Sequence, residues 1–163
     1  MSETIVERAA GEAARAASLR RAAATLRGQA GTLKFHPATG QKPRASIRLT
    51  AALDALTQVL NELQRSAAQR ADDAAAAAAT VSAGAVRQAY AEVDQGAQFT
   101  AAAIEVLRRV LADGDGATID APYGQGAPRR QHPGALCTIV AERAEGLARS
   151  LESLAILTAN LAT

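Results

Sequence analysis

Hydrophobic positions recur in steps of three and four along four separate stretches of the chain, the spacing that lays one apolar stripe along an α-helix. The first stripe runs through Val6, Ala9, Ala13, Ala16, Leu19, Ala23, Leu26, Ala30 and Leu33 and predicts a helix over about residues 3–34. A loop follows, because Phe35 to Arg44 holds two prolines and a glycine. The second stripe, Leu49, Leu53, Leu56, Leu60, Leu63, Ala67, Ala74 and Val81, keeps a seven-residue repeat and predicts a helix over about 46–80, capped by Ser46 or by the region just before Ile47. The third, Val86, Tyr90, Val93, Ala97, Thr100, Ile104, Leu107 and Leu111, predicts a helix over about 84–112. The fourth, Leu136, Val140, Ala144, Leu147, Leu151, Leu154 and Leu161, predicts one over about 135–161.

The second and third stripes are out of phase. Continuing the register of Leu49 to Leu63 would put Gly84, Gln88, Ala91 and Gln95 on the apolar face, so a break is expected near Thr80 to Gly84. With that break, four helices of similar length make one all-α domain, an up-down-up-down four-helix bundle with a long loop over residues 113–134. Without it, residues 46–112 would be one very long central helix in an extended helical hairpin.

Composition agrees with the helical class. About a quarter of the 163 residues are alanine, and there is no Trp and only two Phe and two Tyr, so leucine and alanine must form the core. The formal net charge of +2 is too small an excess to suggest nucleic acid as partner. The single cysteine, Cys137, makes no internal disulfide, and its place in the first turn of the last helix is one that can lower a thiol pKa. The beginning of the chain has neither the basic region nor the apolar core of a cleaved signal peptide, and no stretch approaches about 20 apolar residues, so no membrane span is expected.

Motifs that would carry chemistry fail at their second element. Asp113 and Asp115 have the spacing that opens a calcium loop, but Ala117 and Thr118 follow where a ligand and a glycine belong. His36 and His132 both sit beside proline in loops, and the Glu-x-x-His pair of a di-iron bundle does not occur. The glycine spacings at Gly114 and Gly124 follow a helix where a dinucleotide fingerprint follows a strand. The expectation is a protein that is not an enzyme and needs no cofactor. It would work by helix–helix association with a helical partner or by self-association; one alternative is an intracellular helical scaffold or oligomerisation protein. Another alternative is a binder of anions or acidic partners through the basic end of the bundle, where Lys42, Arg44, Arg129 and Arg130 would gather.

One motif points to a family. Tyr90-x-x-x-Asp94, with the helix, loop and helix before it, resembles the helical-hairpin substrates of actinobacterial type VII secretion, the WXG-type and PE-type proteins and their relatives. The resemblance covers residues 1 to about 95, and the loop carries Phe35 and Gly40 with no Trp-x-Gly. It implies that Tyr90 and Asp94 are secretion-signal residues and that the hairpin pairs with a related helical protein. Localisation would then be secreted without a cleaved signal peptide, where the bare pattern of a scaffold implies the cytoplasm.

Overall fold

The structure is a computed structural model. It describes residues 5–31, 46–77, 80–113 and 133–160, and the side chains of most of these. The described residues form four helices, α1 (Ile5–Ala30), α2 (Ile47–Ala77), α3 (Thr80–Asp113) and α4 (Pro133–Asn160).

Two helix starts have a local cause. Ser46 caps α2: its Oγ accepts from the Leu49 amide at 3.1 Å and donates to Gln29 Oε1 of α1 at 2.7 Å. Pro133 opens α4, where its fixed φ suits the first helical position and its missing N–H leaves no bond unmade. The helix therefore begins two residues before the expected 135. α1 ends at Ala30 with Gly31 in a turn, short of the expected 34.

Cross-helix contacts fix the topology. Arg15 of α1 lies 3.7 Å from Glu62 of α2, while Gln29 meets Ser46, so α1 and α2 are antiparallel. Arg20 pairs with Glu152 and Arg27 with Glu145, which makes α1 and α4 antiparallel. On α3, the Phe99 carbonyl accepts from Arg143 Nη1 at 2.8 Å, and Gly96 faces Leu147, so α3 and α4 are antiparallel too. It follows that α2 and α3 also oppose each other, and Arg108 of α3 reaches Asp54 and Thr57 of α2. The result is an up-down-up-down four-helix bundle in which residues 46–112 form two helices and not one rod. α3 already begins at Thr80, so Thr80 to Gly84 lies in its first turns and not in the connection. A glycine inside a helix costs only about 1 kcal/mol relative to alanine, which packing of the rest of α3 offsets.

The leucine ladders meet in one core. Leu49, Leu53, Leu56, Leu60 and Leu63 of α2 are buried against Leu19 and Leu26 of α1, Val86 to Val110 of α3 and the α4 stripe. Two threonines lie in that core, and each hydroxyl donates to the carbonyl four residues back: Thr100 to Gly96 at 2.7 Å and Thr158 to Leu154 at 2.8 Å. α1 departs from its expected stripe. Ala13 and Val6 face solvent, while Glu12 is fully buried with Arg15 Nη1 at 3.6 Å. A buried carboxylate persists only with a compensating charge, and Arg15 links it to Glu62 of α2. The expected positions Leu33, Ala67, Ala74, Val81 and Leu161 lie outside the described side chains.

Candidate interaction surfaces

The seams between helices carry most of the charged side chains whose geometry is fixed. Arg20 Nε and Nη2 donate to the two Glu152 oxygens at 2.6 and 2.8 Å, and Arg27 repeats the fork on Glu145 at 2.7 and 2.8 Å. Seven residues separate the two arginines and seven the two glutamates, so the pairs lock one antiparallel register between α1 and α4. The hydrogen bonds hold both carboxylates below the usual range and raise both guanidiniums. These pairs are exposed, so they specify register more than they add stability.

Tyr90 and Asp94 lie one turn apart on α3 with different surroundings. Tyr90 is only 3% exposed and belongs to the core with Val86, Val93 and Ala97. Asp94 is half-buried and accepts a hydrogen bond from Gln98 Nε2 at 3.1 Å. The fold thus seats the aromatic ring of the motif inside the bundle. Lys42, Arg44, Arg129 and Arg130, the basic-end candidates, lie outside the described residues, as do His36 and His132. On the bundle surface, Arg108 is bonded to Asp54 and Arg109 to Glu105.

Cys137 is buried in the second turn of α4, and burial pushes its thiol up to about 11. Desolvation outweighs the helix N-terminus there, because the residue is fully buried in the core. Among the described residues no group of three His, Cys, Asp or Glu is placed to hold a metal ion, and no helix is long and apolar enough to cross a membrane.

Two outer grooves stand out. Between α1 and α2, Ser18, Ala22, Thr25, Gly28, Ala51 and Ala55 line an open trough of about 760 Å³ flanked by Arg21 and Arg48. Between α3 and α4, Gly96, Phe99, Arg143, Gly146, Leu147 and Ser150 surround about 310 Å³. Gly96 lets those two helices approach, since a Cβ there would stand 3.2 Å from Leu147 Cδ1. Phe99 is 54% exposed at the second groove, and Ile139 and Ile156 of α4 are 40% and 64% exposed. The sequence reading missed these outward apolar positions because they fall off the core-facing stripes. Their signal was the presence of isoleucine and phenylalanine among polar residues on the far side of a complete stripe.

Comparison with known proteins returns no matching family model, no matching characterised protein and no matching solved structure.

Proposed function

We propose that this chain is a non-enzymatic helical protein that acts by helix–helix association, with a helical partner or with itself. The observation that supports this reading is the set of large apolar side chains left on outward helix faces. Ile47 is 90% exposed, and Phe99, Ile139 and Ile156 are exposed as well, although the stripes facing the core are already packed. The exposed apolar side chains of α3 and α4, which are neighbouring helices, would be removed from water by a partner surface. Size-exclusion chromatography with light scattering, across concentration and with helical partners co-expressed, tests it. A stable complex or oligomer is expected, and a monomer under every condition contradicts it.

A second reading draws on the resemblance to type VII secretion substrates, in which a helical hairpin precedes a Tyr-x-x-x-Asp/Glu signal; here the antiparallel α1/α2 hairpin precedes Tyr90-x-x-x-Asp94, which lies within α3. In that reading Tyr90, which lies in the core, is reached by the export machinery only when α3 loosens from the bundle. Export of Tyr90→Phe from a type VII-competent host separates the cases. A signal tyrosine loses export while the fold survives, and unchanged export removes the reading.

A further inference from the structure

The outer face of α4 carries a regular stripe of its own. Ile139, Glu142, Gly146, Arg149, Ser153 and Ile156 follow one another in steps of three and four, so they line one side of the helix. An isoleucine stands at each end, and an acid and a base stand on either side of the glycine. Turned end for end about Gly146, this stripe meets itself with Glu142 against Arg149. Glu142 and Arg149 are both exposed, and neither makes an ion pair within 4 Å among the described residues, although Arg149 lies near enough to Glu145 and Glu152 to help lower both carboxyls.

A Cβ at Gly146 would stand 3.7 Å from Arg149 Nη2, so the helix backbone there is covered only by the far end of a flexible side chain that can swing aside to a partner. Beside it the exposed ring of Phe99 borders the groove of about 310 Å³ that Gly96 and Gly146 help to form. One face therefore offers an apolar knob, a shallow hole and self-complementary charges.

We propose that this face binds a second copy of the chain across a two-fold axis. α4 of each copy crosses the other antiparallel at Gly146, each Phe99 covers the glycine-lined groove of the other, and Glu142 of each pairs with Arg149 of the second copy. A two-fold interface must be self-complementary, so a residue and its counterpart appear in pairs. This pattern supplies that with charge as well as with apolar contact. The proposal rests on the helix-association reading and specifies the occupant.

Sedimentation equilibrium of the full chain, from low to high micromolar concentration, tests it. The wild type is expected to dimerise. E142R and R149E each place like charges together at two symmetric positions and weaken the dimer at least about tenfold, whereas E142R/R149E restores it to within about threefold of wild type. G146L should keep or raise the melting temperature, since leucine suits a helix interior better than glycine, while weakening the dimer at least about tenfold through a clash at the crossing. A wild type that stays monomeric overturns the dimer but leaves association with another helical protein standing. A dimer untouched by G146L and by both charge reversals, or a double variant no better than the single ones, overturns the face.

Discussion

Replacing Tyr90 with alanine sets the core role of this residue against its signal role. The ring is 3% exposed and packed in the core that all four helices share, so truncation removes a large side chain from a site with little room to collapse. Large-to-alanine changes at buried aromatic positions cost about 3 to 5 kcal/mol. For a chain of 163 residues each kcal/mol shifts the melting temperature by about 3 °C, so Tyr90→Ala should melt about 9 to 15 °C lower. Tyr90→Phe keeps the ring and should stay within about 1.5 kcal/mol of wild type. Circular dichroism at 222 nm on heating, with urea titration to recover the free energy, reads both. A Tyr90→Ala protein melting within about 2 °C of wild type would refute the placement of this ring in the core.

Three further outcomes follow from particular contacts. Gly84→Ala should stabilise the protein by about 0.5 to 1 kcal/mol in a urea titration, because the site lies inside α3 with open space around it; a loss of stability would mean that α3 starts later. Glu145 and Glu152 have carboxyls lowered by Arg27 and Arg20, so their contribution is present above the ordinary carboxylate pKa and is lost as pH falls through the lowered folded values. Melting followed from pH 6 to pH 2 should show an acid-side decline that E145Q/E152Q makes shallower, and an identical decline in that variant would discount the pairs. Cys137, with its thiol near 11, is about one part in a thousand thiolate at pH 8 and should react with an aromatic disulfide reagent only after unfolding; fast reaction of the native protein would place it at the surface.

The bundle was legible because leucine reports its own burial. Every leucine named in the stripes of α2 and α4 that is described is buried, and the phase jump between the second and third stripes located a reversal of the chain. The exact start of α3 was not legible, since Gly84 signals a turn in sequence but is tolerated inside a long packed helix. α1 was misread where alanine replaces leucine: Ala9 and Ala13 were placed in the stripe, yet Ala13 is exposed and Glu12 takes the inward position. Alanine says little about which side is buried, and an inward glutamate makes sense only once Arg15 and Glu62 are seen beside it. The outward face of α4 needed the structure for a different reason. Ile139 and Ile156 look like ordinary helix residues until the neighbours that might have covered them are placed elsewhere.

Self-association through that face is the claim on which the functional account leans most, and oxidative cross-linking of Gly146→Cys tests it most directly. A residue beside a two-fold axis meets its own counterpart, and native Cys137 is buried and stays out of the reaction. Gly28→Cys, on the exposed side of α1 with nothing within 4 Å, serves as the matched control. A covalent dimer forming rapidly from Gly146→Cys and only slowly from Gly28→Cys is the predicted result. Equal rates, or no cross-link from Gly146→Cys while the protein is folded, would contradict it.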